Sequence, residues 1–583
     1  MRQVLVAMHR IMLIFASWAA IIPMGRTFHR FCFPTRKCGN PERVQCNPRS
    51  MNTQTSHVEA AWLPVGFERA KARRRKKLMD PIRVTTIPQL KECIKEGYRV
   101  QDLDVRGDTY GVLGVPGKIH PVLKALYARR NDKSMPGQRG AHDKMKIALA
   151  IEGGGMRGCV AAGMATALWH LGLDDSIDIV YGSSAGTLVG AYFISKQLPY
   201  NGPEIYYDVL TSAGEEFIDA QSILRSCGLG LFDLRLQSLV SLFRDRMGKP
   251  VLNLDYLLTT IVQKIKPLDW ATFWSKQESN AQPLKIVASG LLSKKAVVLS
   301  AANDNFKTAS ELAHCMKASM LLPGVTGEVI RLKGEQALGS NIETTWWREF
   351  PRDSRAEDGE FIRGSEPMSD ALVFEPLPYR SALNENCTHI IVLRTRADDI
   401  SVTMKMSKME QMIMSRWFGR KLGLPHMVSW MHNQYHKLVY AEDILILNEA
   451  SRDMDSSSSK PKLFCLALPK GIPEVKRLET SRSVIFNSVR QGFAAAYDNL
   501  VEDPTMRGRG WETACLIWPD SILDSAPVHL QTVSATAELA PLPEEIVGAF
   551  EMGVMQMAES KRSALVRALH NLQAIVMGGR RVE

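Results

Sequence analysis

Long hydrophobic runs are missing from this sequence of 583 residues. A membrane-spanning helix needs about 20 consecutive apolar residues. The best candidate, residues 11–25, has only 15 and contains Pro23, so the sequence excludes a multi-span transporter. With 45% hydrophobic residues, the composition is that of a globular protein with a sizeable core. The length predicts about two to four domains.

Cysteine is also scarce, with 10 residues spread over the chain. Their spacings repeat no short pattern, and Cys32, Cys38 and Cys46 have no histidine at the spacing of a metal ligand. These absences exclude a disulfide framework and a zinc module. We expect the thiols to be reduced.

A basic face for nucleic acid is absent from most of the chain. The sequence has 73 Lys and Arg against 61 Asp and Glu, but residues 1–79 alone hold 15 basic and 3 acidic residues. The remaining residues balance at 58 of each sign. A domain that binds phosphate backbones keeps basic clusters of its own, so we expect no nucleic-acid partner.

The basic excess belongs to an N-terminal leader. Residues 1–41 contain six Arg and Lys, no acid, and an apolar segment at 11–22. This composition is typical of an import segment for a mitochondrion or plastid, and a secretory signal or short membrane anchor is the alternative. The basic run at 73–77 is interpreted as a solvated tether, with a nuclear signal or a patch for anionic lipid as alternatives.

Alternation of apolar runs, glycine turns and helical segments begins at Lys146. It indicates an α/β fold with a mostly parallel sheet covered by helices. We predict strands at 147–151, 177–181, 285–288, 296–299, 389–393 and 463–468, and a helix at 159–171. Residues 131–146 are interpreted as a linker that precedes the compact domain. The predicted segments are a leader (1–79), an N-terminal extension with the linker (80–145), a core (146–396), its C-terminal part (397–500) and a helical extension (501–583).

The first glycine cluster follows a predicted strand and opens a helix. It consists of Gly153, Gly154, Gly155, Met156, Arg157 and Gly158. Glycines allow a ligand to approach backbone N–H groups, and a helix start adds partial positive charge, so the cluster is suited to binding an anion. It also fits a dinucleotide fingerprint, with Asp174 or Asp178 at the distance of a ribose-binding acid.

The second cluster favours an alkoxide over a phosphate as that anion. Gly182, Ser183, Ser184, Ala185 and Gly186 form a G-x-S-x-G elbow, in which a tight strand-to-helix turn exposes the central serine. Gly153 and Ser184 are 31 residues apart, which is one strand–helix–strand unit. Both turns are therefore expected at the carboxyl edge of neighbouring strands. Ser184 is the predicted nucleophile, and the glycine loop is placed to hold an oxyanion.

A serine nucleophile needs a base, and Asp370 is the best candidate. It lies at a turn after a polar insertion, and a predicted strand follows shortly. A carboxylate in a dry pocket has a raised proton affinity, which suits a general base. The rival bases are the histidines in the Ser, Asp, His order of α/β-hydrolases, namely His389, His426, His529 and His570.

These three motifs in order resemble the patatin-like phospholipases, which are similar to cytosolic phospholipase A2. The resemblance covers about residues 146–396, is weaker to about 500, and includes residues 317–323, which are similar to the helix before the family's Asp loop. It implies a three-layer α/β/α sandwich and a Ser–Asp dyad of Ser184 and Asp370 without histidine. It also implies an oxyanion hole of Gly153, Gly154 and Gly155, with Arg157, Gly158, Gly182 and Gly186 as supporting motif residues.

The resemblance further implies a hydrolase that cleaves carboxylic esters of lipids at a membrane or lipid-droplet surface, with no metal or organic cofactor. The ester is one of a phospholipid, lysophospholipid, galactolipid or acylglycerol. An acyltransferase with the same acyl-enzyme, a catalytically silent lipid-binding relative and a dinucleotide-binding oxidoreductase remain alternatives. Oligomeric state is not readable from the sequence.

Two departures from the family bear on Asp370. The family's Asp-Gly is Asp370-Ala371 here, and a turn that required positive φ at Ala371 would displace Asp370. A polar insertion, residues 332–368, precedes it, and Asp358 within the insertion is the fallback base.

Several of these residues also have plainer interpretations. Ser184 is alternatively a helix N-cap, and Arg157 a surface charge. Residues 404–421, rich in Met with Trp417, suit either core packing or a membrane surface. Trp346 and Trp347 suit a lid or a loop anchor, and the last 40 residues are predicted to form one or two amphipathic helices.

Overall fold

The computed structural model describes residues 80–109, 119–218, 252–322, 325–327, 330–332, 366–404 and 408–527. The leader with its basic run, most of the insertion with Asp358, Trp346 and Trp347, and the C-terminal extension from residue 528 lie outside these ranges. The described residues all belong to one unit, Met79–Glu583.

In the ranges that the structure describes, ten strands form a small sheet and a large one. They are β1 (Ile82–Val84), β2 (Leu103–Val105), β3 (Ile147–Ile151), β4 (Ile179–Ser183), β5 (Leu284–Gly290), β6 (Lys295–Leu299), β7 (Arg331–Leu332), β8 (Glu366–Ser369), β9 (His389–Leu393) and β10 (Lys462–Leu466). β1 and β2 pair with each other. The large sheet has the order β10-β9-β3-β4-β5-β8-β7, and β6 pairs with β5.

The five strands from β10 to β5 are parallel, whereas β6, β7 and β8 are antiparallel to their neighbours. The parallel strands are buried along almost their whole length, because helices cover both faces of such a sheet. The register sets Ile151 opposite both Gly182 and Leu393. The glycine loop and the serine elbow therefore emerge side by side, as the spacing of the two motifs predicts.

Fourteen α-helices lie in the described part of the chain. They are α1 (Ile87–Lys95), α2 (Pro121–Asn131), α3 (Gly158–His170), α4 (Ala185–Ile194), α5 (Asn201–Glu204), α6 (Trp270–Glu278), α7 (Ala309–Met320), α8 (Tyr379–Asn384), α9 (Lys408–Met414), α10 (Pro425–His432), α11 (Tyr435–Ala450), α12 (Arg482–Leu500), α13 (Gly510–Ile517) and α14 (Ser521–Asp524). π-helical turns cover Ile205–Leu210, Tyr256–Ile265 and Ser415–Lys421.

Alternate residues of the parallel strands enter two separate hydrophobic cores. Leu149 and Ile391 belong to the core that contains α3 and α12. Ala148 and Ile390 belong to the opposite core, with α11. Because side chains alternate across a strand, each face of the sheet carries its own helical layer. The structure thus confirms the predicted three-layer α/β/α fold with a mostly parallel central sheet.

The chain packs against the sheet before Lys146, where the sequence analysis placed the start of the compact domain. The Arg129 side chain is 2% exposed and forms ion pairs with Asp143 (2.8 Å) and Asp178 (2.7 Å). Arg139 also pairs with Asp178 (2.7 Å). Residues 131–146 are therefore held by buried charges rather than serving as a free linker.

No helix among the described residues has the length and apolar character to cross a membrane. The six cysteines in the described ranges are free thiols.

Candidate active site

The glycine loop follows β3 and bends toward the serine elbow. A side chain at Gly153 would place its Cβ 2.6 Å from both the carbonyl oxygen of Ser183 and the Cβ of Ser184. At Gly155, φ is +61°, and a Cβ would lie 2.6 Å from the carbonyl oxygen of Arg477. Only glycine permits this approach. The N–H groups of Gly154 and Gly155 donate to no other described residue, so they are available to an anion.

Ser184 occupies a strained turn between β4 and α4. Its φ of 50° and ψ of −124° are unusual for a residue with a side chain. Gly186 leaves room at this turn, because a Cβ there would meet the carbonyl of Ile151. Ser184 stands at the N-cap position of α4, as the N-cap alternative has it, but its hydroxyl makes no capping hydrogen bond to the helix. The hydroxyl points instead to a carboxylate.

That carboxylate belongs to Asp370, which directly follows β8 and lies beside the elbow. β8 runs antiparallel to β5, with Ser369 opposite Ser289. The Ser184 hydroxyl donates to Oδ2 of Asp370 at 2.8 Å, and the Leu372 N–H donates to Oδ1 at 2.8 Å. Both carboxylate oxygens are therefore fixed in position.

Burial raises the pKa of the Asp370 carboxyl above its ordinary value. The hydrogen bonds from Leu372 and Ser184, and the positive charge of Arg477, act in the opposite direction. The carboxylate is thus more basic than an exposed aspartate, and it is already in contact with the hydroxyl whose proton it would accept.

Ala371 does not displace Asp370. It is fully buried, has a negative φ and begins a short 3₁₀ helix, Ala371–Val373. An alanine adopts this conformation as readily as a glycine. The Asp loop is also tied to β4, since the Ser183 hydroxyl donates to the carbonyl of Glu375 at 3.1 Å.

Arg157 is 6% exposed, so its interpretation as a surface charge is wrong. Its guanidinium pairs with Glu474 at 2.6 Å, and Arg396 binds the same carboxylate oxygen at 2.6 Å. Burial, followed by the neighbouring charges of Arg477 and Arg396, lowers the pKa of Arg157 to about 10. Gly158 begins α3 behind it and contacts Tyr206, where a Cβ would collide with the phenol.

The other predicted candidates lie away from the serine. His389 contacts Thr388, and His426 contacts the carbonyl of Leu291. Asp178 binds Arg129 and Arg139, and Asp174 binds Lys196. The two acids considered for a ribose are therefore parts of structural ion pairs. His529 and His570 lie outside the described residues.

A cavity of about 360 Å³ contains the dyad and the glycine loop. The segment between β4 and β5, together with the end of α7, gives it an apolar side that includes Leu210, Phe217, Leu254, Leu257 and Met320. Loops after β9 and β10, together with α11, contribute Arg396, His436, Lys437, Tyr440 and Arg477. Sequence reasoning missed this second group, because its members form no motif with the serine.

The methionine-rich stretch is divided between the core and the cavity. Trp417 and Phe418 are buried in the core. Met404, which is 62% exposed, and Met414 line the cavity. Core packing therefore accounts for the aromatic part of the stretch, and two methionines border the candidate site.

A family model matches the part of the chain that contains the three ordered motifs. Residues 149–382 match the family model described as patatin-like phospholipase. Among solved structures, VipD from Legionella pneumophila is similar at 12% identity, over 76% of this chain and 89% of that chain, with a TM-score of 0.28. Human GIVD cytosolic phospholipase A2 is similar at 13% identity, over 68% of this chain and 63% of that chain, with a TM-score of 0.34. No curated protein gives a significant match.

Proposed function

We propose that this chain, whose residues 149–382 match the family model described as patatin-like phospholipase, is a serine acyl hydrolase that cleaves a carboxylic ester bond of a lipid. The observation that carries the proposal is the 2.8 Å hydrogen bond from the Ser184 hydroxyl to Asp370, in a cavity that also contains Gly153, Gly154 and Gly155.

In the first half of the reaction, Asp370 takes the proton of Ser184 as the serine oxygen attacks the ester carbonyl. The carbonyl oxygen becomes an oxyanion, and the N–H groups of Gly154 and Gly155 stabilise it. Loss of one such donor typically costs about 2.7 to 4 kcal/mol of transition-state stabilisation. The tetrahedral intermediate then collapses, Asp370 gives its proton to the departing alkoxide, and the acyl group stays on Ser184.

In the second half, water attacks the acyl-enzyme and Asp370 accepts a proton from it. Collapse of the second intermediate returns the proton to the serine oxygen and releases the fatty acid. The apolar side of the cavity, with Leu210, Leu254 and Leu257, suits the acyl chain. The reaction uses the same two side chains in both halves.

The basic leader and the lipid substrate lead to a proposed location. We place the enzyme at the surface of a membrane or lipid droplet, in a mitochondrion or plastid. Imaging of the full chain with a C-terminal fluorescent tag, compared with a chain that lacks residues 1–79, tests the organelle.

A fluorophosphonate probe and a lipid panel test the catalytic assignment. The wild type is expected to react covalently with the probe and to release fatty acid. Ser184→Ala should do neither while it remains folded by circular dichroism. Asp370→Asn should lose most turnover, because the amide takes no proton. Labelling that persists in Ser184→Ala overturns the proposal, as does a wild type that releases no fatty acid from any lipid.

A further inference from the structure

Arg477 is a cation at the cavity that the dyad does not use. Its side chain is exposed and lines the cavity. Within the described ranges, that side chain forms no hydrogen bond or ion pair with another residue. Its charge nevertheless lowers the pKa of Asp370. A free guanidinium therefore lies within electrostatic range of the reacting groups.

The backbone of Arg477 is held against the glycine loop. The Met156 N–H donates to the carbonyl oxygen of Arg477 at 3.0 Å. The absence of a side chain at Gly155 allows this approach. The position of Arg477 relative to the oxyanion hole is thus fixed by main-chain contacts, and its side chain remains available.

No acid among the described residues forms an ion pair with the Arg477 side chain. Arg396 binds Glu474, and Lys437 donates to the carbonyl of Met404. Three acids also line the cavity. Glu152 accepts from Tyr440 and the Thr395 N–H, and Asp370 holds Ser184. Glu410, the third acid, acts on Lys437 by its charge.

His436 is an independent sign that this part of the cavity receives a polar ligand. It lines the cavity, is 5% exposed, and its Nδ1 has no hydrogen-bond partner among the described residues. Burial, with the charges of Lys437 and Arg477, lowers its pKa to about 3. The ring is therefore neutral and can donate or accept one hydrogen bond without adding charge.

The order of the strands places this polar group, together with Met404 and Met414, on the other side of β3 from the leucines. Ser184 follows β4, and the segment between β4 and β5 carries Leu210, Leu254 and Leu257. The loops after β9 and β10, on the other side of β3, carry Arg396 and Arg477. An ester whose carbonyl lies at Ser184 can place its acyl chain on one side and its alcohol part on the other.

We propose that Arg477 is a specificity-determining residue, which binds an anionic group on the alcohol part of the lipid ester and thereby selects charged over neutral lipid esters. The inference rests on the proposed function and deepens it. Phosphate suits the site, because a guanidinium binds its oxygens through two parallel hydrogen bonds. Arg477 lies outside residues 149–382, so the family match does not include it.

Two substrates that differ only in the phosphate test this inference. 1-Oleoylglycerol 3-phosphate and 1-oleoylglycerol are presented to the full chain at equal low mole fraction in neutral detergent micelles, and oleate release gives kcat/KM. The wild type should prefer the phosphate ester. Arg477→Gln should lower that preference roughly tenfold to a hundredfold, as loss of a hydrogen bond to a charged group does, with little change for the neutral ester. Arg477→Lys should retain part of it.

Lys476→Gln is the matched control, since Lys476 is exposed on the same loop and does not line the cavity. It removes the same charge and should leave the preference unchanged. The inference is overturned if the preference for the phosphate ester falls equally in Arg477→Gln and Lys476→Gln. It is also overturned if Arg477→Gln loses kcat/KM equally for both substrates. Free glycerol 3-phosphate should inhibit the wild type more than Arg477→Gln. If glycerol 3-phosphate inhibits the wild type but the wild type does not prefer the phosphate ester as substrate, the site binds a free phosphate ester, and the inference is also overturned. A wild type that hydrolyses neither ester instead contradicts the proposed function.

Discussion

The hydroxyl of Ser319 accepts a hydrogen bond from the backbone N–H of Ser184 at 2.8 Å and donates one to the carbonyl of Val287. Ser319 is fully buried near the end of α7. It therefore links the strained elbow to the neighbouring strand β5. Its contact is with the main chain of the proposed nucleophile, so it acts as a positioning residue.

Ser319→Ala should lower both stability and turnover. The partly buried Ser184 N–H would be left without this partner, which costs about 1 kcal/mol. The elbow would then hold the Ser184 oxygen less firmly, so kcat should fall more than KM changes. Thermal unfolding and steady-state kinetics measure the two effects. Ser310→Ala, an exposed change on the same helix, should alter neither. A Ser319→Ala enzyme with unchanged kcat would contradict the positioning role.

Replacement of Ala371 by glycine should not improve the enzyme. Ala371 already has the negative φ that the Asp loop needs. Glycine would add chain entropy to the unfolded state and remove a buried methyl group, so we expect a loss of about 1 kcal/mol in stability. The rate of ester hydrolysis should stay close to that of the wild type. A large gain in kcat for Ala371→Gly would show that alanine holds Asp370 in a poor position.

The pH dependence of hydrolysis should show the raised pKa of Asp370. The carboxylate must be ionised to accept the serine proton, so kcat/KM should fall as the pH drops through this pKa. Because burial raises the pKa, the fall should occur at a higher pH than for an exposed aspartate. Arg477 lowers the same pKa, so Arg477→Gln should move the fall to still higher pH. A neutral nitrophenyl ester, assayed by chromatography of quenched samples, avoids an effect of substrate charge. A fall that moves to lower pH in Arg477→Gln would contradict the assignment of Asp370 as base.

Glu474→Gln should destabilise the protein through Arg157. The change leaves a guanidinium that is 7% exposed without its carboxylate. Removal of one partner of a buried pair costs several kcal/mol, and the partial exposure of Glu474 reduces the expected loss to about 1 to 3 kcal/mol. Denaturant unfolding measures it. Glu512→Gln breaks an exposed pair with Arg509 and should cost much less. Equal effects of the two changes would argue against a role for burial.

Motif spacing predicted the central part of the fold well for a physical reason. Parallel strands buried on both faces are short apolar runs, and glycine turns mark their ends, so β3, β4 and β9 were recognisable within a few residues. The proximity of Gly153 and Ser184 follows from one strand–helix–strand unit. Asp370 was the best candidate base because it lies at a turn between a polar insertion and a predicted strand, and the resemblance to a family supported that choice, whereas spacing alone did not place it beside Ser184.

The remaining features depend on contacts between distant parts of the chain. Ser319, His436 and Arg477 approach the serine only because α7, α11 and the loop after β10 pack at the same edge of the sheet. Asn131–Lys146 resembles a linker in composition. Two of its charges are nevertheless paired with residues outside the segment, Asp143 with Arg129 and Arg139 with Asp178. No local sequence pattern predicts such ion pairs.

The main-chain hydrogen bond from Met156 to Arg477 has a practical consequence for dissecting the protein. A fragment ended at residue 382 would keep both members of the dyad, yet it would lack β9, β10 and the segment that braces the glycine loop. Such a piece should expose one edge of β3 and leave the oxyanion donors unsupported. A fragment with the proposed activity should therefore extend past Arg477, well beyond the residues 149–382 that match the family model.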